Sequence, residues 1–468
     1  MRQRRVFSLI FMVAMCATAG CGGGSSDSSA VPPTSLPPTP VSGLLSDAQL
    51  RTAADPAAAF VTGESASWFA DNVSVVRSLT EDDDFSDLEF LGPLIDGKRI
   101  VSLGESSHGV EEYSQAKLRL IKYLHEVQGF NVLAFEGGLF DCERAQVFLE
   151  SDLARNAMNS CLFSVWHTRT VLELLDYVRS TQTTATPLRV TGFDVQASGV
   201  NFDERGSQLR AMFRKISSDR ADSVFAIESD YRGLARAALG ASSASDAVMV
   251  TLRDAIPQIR ADYQLIADEL EASLSVVTAD GEFSEREVRI AVQYARTSPD
   301  WADQITQQFS LGRGYAERDR GMASNLIALS ETVYSNEKVI VWAHNAHLRH
   351  QGTGLVPDAN MGAIVHRTLE DQMYTIGFYM YRGQHDFPDG ARRTIAPPLD
   401  NSLEAIFYSR RLSWLFLDLE NAPRSAGGAW IDLPTPTWAW GEIELPLVLS
   451  AEYDGLLIID NVTPPNFL

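Results

Sequence analysis

The chain has 468 residues, with 61 acidic against 39 basic side chains and a formal charge of −22 at neutral pH. Acidity on this scale argues against a binder of nucleic acid or of anionic lipid and reads as a solubility feature. The length exceeds one ordinary domain, and after the amino-terminal residues no segment is apolar enough to cross a membrane.

Arg2, Arg4 and Arg5 precede an apolar run from Val6 to Ala19, which has the form of a secretory signal. Thr18-Ala19-Gly20-Cys21 matches a bacterial lipoprotein cleavage box, so residues 1–20 are expected to be removed and Cys21 to carry lipid. Residues 21–47, rich in Gly, Ser, Pro and Thr, read as a flexible tether. The expectation is a protein of the bacterial cell envelope, on the periplasmic or outer-membrane face, that meets the membrane only through its lipid. Cys142 and Cys161 then remain as a free or disulfide-bonded pair, and the sequence leaves both states open.

Short runs rich in Val, Ile, Leu and Phe predict strands at 98–105, 130–136, 187–194 and 338–344, then at 374–382, 412–419 and 455–461. Helical patterns separate most of them, so the fold class is α/β, with a mainly parallel sheet covered by helices. From 203 to 331 strand signal nearly vanishes and helical spacing takes over, with Pro257 expected to kink or split one helix. The domain reading is therefore an α/β catalytic core from 48–202 and 332–468, interrupted by a helical insertion at 203–331 suited to act as a lid.

The strands carry the functional signal at their carboxyl ends, the edge where such sheets bind ligands. The first opens into Gly104-Glu105-Ser106-Ser107-His108-Gly109, the second ends in Glu136, the third in Asp194, and the fourth runs into His344-Asn345-Ala346-His347. An imidazole beside carboxylates suits a general base or a metal ligand. Each residue also has a plainer reading: a helix cap for Glu105, a turn former for Asp194, satisfied core histidines for His344 and His347. On the helix after His108, Lys117 shares a stripe with Tyr113, Leu120, Leu124 and Val127, and an inward Lys needs an anionic partner unless it reaches solvent. Arg318 lies on a ridge with Tyr315, Met322 and Asn325, with Asp319 beside it, and would bind an anion or pair with that Asp. No Gly-x-Ser-x-Gly, Walker, Gly-x-Gly-x-x-Gly or His-Glu-x-x-His motif is present.

These residues together resemble the erythromycin esterase-like hydrolases. Gly104-Glu105-x-x-His108-Gly109, the Gly129-Phe130 to Glu136 segment, Gly192-Phe193-Asp194 and Trp342-to-His347 are similar to that family's signatures. Arg318-Asp319-x-x-Met322-Ala323-x-Asn325, Asn401-to-Glu404 and the stretch from Tyr453 to Pro464 are similar as well. The likeness spans about residues 86 to 465. It implies a parallel α/β core with a helical insertion, a cleft between them, and water-mediated opening of a macrolide lactone with the motif His as base. Ser107 and Lys117 depart from the Thr and Arg usual in the family, and Lys lacks bidentate geometry.

The leading expectation is a hydrolase that opens an ester or lactone of a small molecule without cofactor or metal. His108 is the base, and Glu105, Glu136, His344 and His347 complete the catalytic set. Lys117, Arg318 and Asp194 are assigned to the substrate. One alternative uses the same His and Glu residues to hold Zn²⁺ or Fe²⁺. Another is a non-catalytic surface lipoprotein that binds a small ligand or haem.

Overall fold

The computed structural model describes residues 64–468 apart from 80–83, 152, 201–203, 311–312, 352–359, 388–389, 400 and 425–426. The expected signal, Cys21 and the tether lie outside the described residues. The strands are β1 Val73–Val75, β2 Ile100–Leu103, β3 Val132–Gly138, β4 Arg189–Asp194, β5 Val339–Trp342, β6 Met373–Asp386, β7 Arg392–Thr394, β8 Trp414–Asp418, β9 Pro434–Ala439, β10 Ile443–Val448 and β11 Gly455–Val462. Among the described residues one sheet runs in the order β1-β8-β11-β6-β2-β5-β3-β4, with β7 on β6, while β9 and β10 form a separate hairpin. From β11 to β4 every neighbouring pair is parallel; β8, β1 and β7 pair antiparallel.

The apolar runs form central strands because both faces of the sheet are covered. Side chains alternate across a strand: Val132, Ala134, Val339 and Val341 enter one core, and Leu133, Phe135, Ile340 and Trp342 enter the other. The second core is closed by helices α1 Glu111–Glu126, α2 Leu139–Ser151, α3 Ala154–Cys161 and α4 Arg169–Thr181. The first is closed largely by α5 Glu204–Arg214, α6 Ser218–Leu239, α7 Ala247–Ala272, α8 Glu285–Gln307 and α9 Arg313–Ala328, which lie between β4 and β5 with no strand among their described residues. Burial of a Val or Leu contributes about 1.5–3 kcal/mol, so these two apolar layers fix the strand ends against each other.

Several local expectations change. Helix α7 passes through Pro257 as one element; the lost N–H is tolerated in a long helix whose Met249, Leu252, Tyr263, Ile266 and Leu270 are buried. Val127 follows the end of α1 and is 55% exposed, so it drops out of the inward stripe. Strand β2 stops at Leu103, leaving Glu105 in the loop, and β3 continues to Gly138 through an irregularity after Phe135 that carries Glu136. A disulfide joins Cys142 in α2 to Cys161 in α3, the state that the sequence left open.

Candidate active site

The loop after β2 is tied down by three distant segments. Asn345 N–H donates to the Glu105 carbonyl (2.8 Å), Trp440 N–H to that of Ser106 (2.9 Å) and Asp386 N–H to that of Gly109 (3.0 Å). Its two glycines are set by close approach: a Cβ at Gly104 would stand 2.0 Å from Asn345 Oδ1, and one at Gly109 1.8 Å from the Asp386 carbonyl oxygen. Asn345 in turn bridges to β6 through the Phe378 carbonyl and N–H. The motif is therefore rigid before any substrate arrives.

Within this loop His108 Nδ1 lies 2.6 Å from Glu105 Oε1. The same carboxylate receives Lys117 Nζ on Oε2 at 2.7 Å and Trp166 Nε1 on Oε1 at 3.1 Å. Burial opposes ionisation of Glu105, but Lys117 and His108 overcome it and hold its carboxyl below the usual range. Burial likewise presses Lys117 down to about 8 despite this pairing. Its ammonium, fully buried, sits on Glu105 and 4.2 Å from the Trp342 ring centroid, so it supports Glu105. With Nδ1–H donating to Glu105, His108 Nε2 keeps its lone pair. The ring is flanked edge-on by Trp166 and Trp440, with the His344 ring centroid 5.0 Å away.

A second cluster centres on Arg318 from α9. Its Nε and Nη2 clasp Asp194, and Nη2 also donates to Glu136 Oε1 at 2.8 Å. His347 Nδ1 lies 2.7 Å from Asp319, whose other oxygen accepts Met361 N–H. His347 Nε2 stands 3.2 Å from both Glu136 Oε1 and Arg318 Nη1. Burial disfavours a charged ring, but Asp319 and Glu136 outweigh it and push His347 up to about 9, so at neutral pH the Nε2 proton belongs to Glu136. Glu136 is itself held well below the usual range, burial being outweighed by His347 and Arg318.

This raised value has a consequence for stability. A folded pKa above the ordinary 6.5 stabilises fully below that value and fades as the ring deprotonates. In urea denaturation, the advantage of the wild-type chain over His347→Gln should be greatest below pH 6.5 and narrow as pH rises through about 9. An advantage that is flat across that window would mean the ring is not cationic.

His344 links the clusters. Its backbone N–H donates to Glu136 Oε2 at 2.8 Å, and its Nδ1 accepts from Ala346 N–H at 3.1 Å as the cap of the short helix Asn345–Leu348. The ring proton is therefore on Nε2, which is buried and, among the described residues, makes no hydrogen bond of good geometry, the Ser106 carbonyl acting on the ring only weakly. Burial, with the His108 imidazole next to it, holds His344 well below the usual imidazole range. The site thus pairs an imidazole with a free lone pair, His108, and a neutral imidazole with a free N–H, His344.

Glu105, His108, Glu136, Asp194, Arg318, His344 and His347 converge, and Lys117 stands against Glu105. All the nitrogens of Arg318 and Lys117 that the contacts above describe are engaged by protein groups. The donor set suits a metal poorly: Glu136 already holds a guanidinium and an imidazolium, and His108 and His347 commit Nδ1 to carboxylates. Among the described residues no group of three or more His, Cys, Asp or Glu side chains could hold a metal ion.

Sequence reasoning missed Trp166, Trp440 and His385. Trp440 stacks on His344 with centroids 4.5 Å apart and sits at φ +57 in the turn joining β9 to β10. A non-glycine residue in that region is a strained placement that the fold must enforce. The Trp440-Gly441 pair was a usable turn signal. His385 Nδ1 lies 2.9 Å from Ser107 Oγ, reached because β6 extends to Asp386 rather than stopping near 382.

The family model described as erythromycin esterase matches residues 125–462. The chain belongs to the erythromycin esterase family. The match includes Glu136, Asp194, Arg318, His344 and His347 and begins after His108. YbfO of Bacillus subtilis (strain 168), named as a hydrolase, is 29% identical over 404 residues, covering 81% of this chain and 87% of that protein. The Escherichia coli erythromycin esterase type II is 22% identical, covering 68% of this chain and 77% of that protein. Among solved structures, a Bacillus cereus protein superposes with a TM-score of 0.71 at 21% identity, over 86% of this chain and 98% of that one. A histidine-to-asparagine mutant of the erythromycin esterase EreC, in its open conformation, superposes with a TM-score of 0.63 at 18% identity, over 84% and 98%. These structural likenesses establish the fold, and the family establishes a hydrolase of the erythromycin esterase-like type.

Proposed function

We propose that the protein opens an ester or lactone by direct attack of a water molecule that His108 deprotonates. The observation that carries this reading is the Glu105–His108 pair, with Nδ1 occupied and Nε2 left as the acceptor beside His344. Water approaches the carbonyl carbon of the substrate and gives a proton to His108 Nε2. Glu105, held ionised by Lys117, keeps the ring in this tautomer and stabilises the imidazolium that forms. His344 Nε2–H donates to the oxygen that becomes negative in the tetrahedral intermediate. Collapse breaks the bond to the leaving alkoxide, and the proton on His108 Nε2 passes to that alkoxide, leaving an alcohol and a carboxylic acid that gives its remaining proton to solvent. The Glu136, Asp194, Arg318, Asp319 and His347 cluster positions His344 through its backbone N–H.

A macrolide lactone is the substrate that the type I and type II esterases of Escherichia coli suggest by name. Incubation with erythromycin and a panel of simpler lactones and esters, followed by mass spectrometry, should show a product heavier by one water for lactones, or acid plus alcohol for open esters. Turnover of esters with erythromycin untouched would discard the macrolide and keep the reaction. No hydrolysis of any member by chain that binds them would remove the reading.

A further inference from the structure

Trp166 touches both members of the Glu105–His108 pair without giving or taking a proton. Its indole Nε1–H donates at 3.1 Å to Glu105 Oε1, the same oxygen that lies 2.6 Å from His108 Nδ1, while Lys117 holds the other oxygen. The indole is 2% exposed and stands edge-on to the His108 ring, with centroids 5.1 Å apart and planes at 84°. A donor on Oε1 stabilises the ionised carboxylate and so leaves less of its charge to attract the imidazolium. It also fixes the plane of the carboxylate, and with it the line from Oε1 to Nδ1. Glu136 from β3 and His344 from the loop after β5 act on His108 as well.

Such a donor works only if its own position is fixed, and Trp166 lies on an irregular segment between α3 and α4. Upstream, the segment begins at Leu162, next to Cys161, which the disulfide fastens to α2. His167 Nε2 closes the turn on the Leu162 carbonyl at 3.1 Å. Downstream, residues 463–468 lie across it as a strap. Arg169 N–H donates to the Asn466 carbonyl (2.9 Å), Leu468 N–H to that of His167 (3.0 Å), and Thr168 and Phe467 pair antiparallel. The same strap grips the start of α1, the helix that follows the His108 loop. Glu111 N–H donates to the Thr463 carbonyl (2.9 Å), and the Thr463 N–H and hydroxyl donate to Glu112 at 2.7 and 2.8 Å. One short stretch thus laces the loop that carries the base to the turn that carries the indole. Phe467 and Leu468 stay 47% and 44% exposed, so backbone pairing rather than apolar burial holds this end of the strap.

We propose that Trp166 is a positioning residue for the hydrolysis: its N–H aims Glu105 Oε1 at His108 and limits how tightly the pair keeps the proton taken from water, and residues 463–468 hold the indole in place. The part in hydrolysis rests on His108 being the base; the coupling of the indole to the titration of His108 does not. Without the N–H, Oε1 is buried with one donor fewer, its charge falls more fully on the imidazole, and the protonated ring is favoured.

Trp166→Phe keeps an aromatic ring and removes the N–H. In chains labelled with ¹³C-histidine, with His108→Ala to assign the signal, the His108 titration followed by NMR should move to higher pH by about half a unit to one unit, as expected when a carboxylate loses one hydrogen bond. A chain without residues 466–468 should move in the same direction by less, since the disulfide side of the turn is still fastened. A titration that stays in place in both variants, or moves to lower pH, overturns the proposal. If Trp166→Phe does not fold, the shortened chain, cut among exposed residues, decides, and an unmoved titration there is fatal.

Turnover then links the indole to the reaction. For an ester that the wild type hydrolyses, the acid limb of kcat/KM should shift upward in Trp166→Phe together with the titration. The plateau should fall roughly 3- to 10-fold, mostly in kcat, the effect of about one hydrogen bond that aims the carboxylate. An indole that only fills space would lower Tm and the plateau and leave the acid limb where it is, which overturns the positioning role. A shifted titration in a chain that hydrolyses no ester counts against the reaction and leaves the coupling standing. Full hydrolysis with an unshifted titration counts against the indole alone.

Discussion

Replacement of His108 by Ala is expected to lower kcat/KM by about 10²- to 10⁴-fold, the contribution of a positioned base. The fold should barely notice. Glu105 keeps Lys117 and Trp166 as donors in the variant, so no buried carboxylate is left unpaired. Among the described residues the His108 side chain makes no backbone hydrogen bond, and the loop remains tied through the carbonyls of Glu105, Ser106 and Gly109. Thermal unfolding should therefore shift little while hydrolysis is nearly lost. Retention of near-wild-type turnover in a well-folded His108→Ala protein would move the base elsewhere, and His344 is a poor substitute because its Nδ1 already accepts a hydrogen bond and its Nε2 bears the proton.

The second large effect is on stability as well as rate. Glu105→Gln keeps the size of the side chain but leaves the Lys117 ammonium buried without an opposite charge, which costs about 3–5 kcal/mol. Activity should fall on the order of 10²- to 10⁴-fold, because an amide can donate to Nδ1 and so move the ring proton onto Nε2. The pH dependence follows from direction. Glu105 is depressed below 4.5, so its contribution is present above that value and lost as pH falls through the folded pKa. The stability gap between wild type and Glu105→Gln should accordingly be wide near neutrality and close in acid. The Glu105→Gln, Lys117→Met double variant separates the two roles: urea denaturation should show most of the stability recovered, since both charges are gone, while hydrolysis stays low. A double variant that regained activity would show that the carboxylate served only to neutralise Lys117.

Much of the site was legible because it is built from short-range pattern. The runs Ile100–Leu103, Val132 to Phe135 and Val339–Trp342 are apolar at every position but Ser102 because helices cover both faces of the sheet, and that is visible in one dimension. A polar residue that ends such a run must lie at the sheet edge, so Glu105, Glu136, Asp194, His344 and His347 announced themselves. Strands β9 and β10 did not. Pro434, Pro436 and Pro446 argue against sheet, yet Pro436 stands opposite Pro446 in an isolated two-stranded ribbon, where neither has a further neighbour that needs its N–H.

The amino-acid sequence by itself therefore determined the α/β class, the family, and which ionisable groups sit at the strand ends, since these depend on the order of polar and apolar residues along the chain. Only the tertiary structure decided how those groups are wired. It placed Lys117 on Glu105, paired Arg318 with Asp194 and Glu136, folded the β9–β10 turn so that Trp440 stacks on His344, and joined Cys142 to Cys161. Protonation follows from that wiring. Whether an imidazole accepts, donates or carries a charge depends on which atoms stand within hydrogen-bond distance and how much water is excluded, and residues as far apart in the chain as His108 and Trp440 settle it only when the fold brings them together.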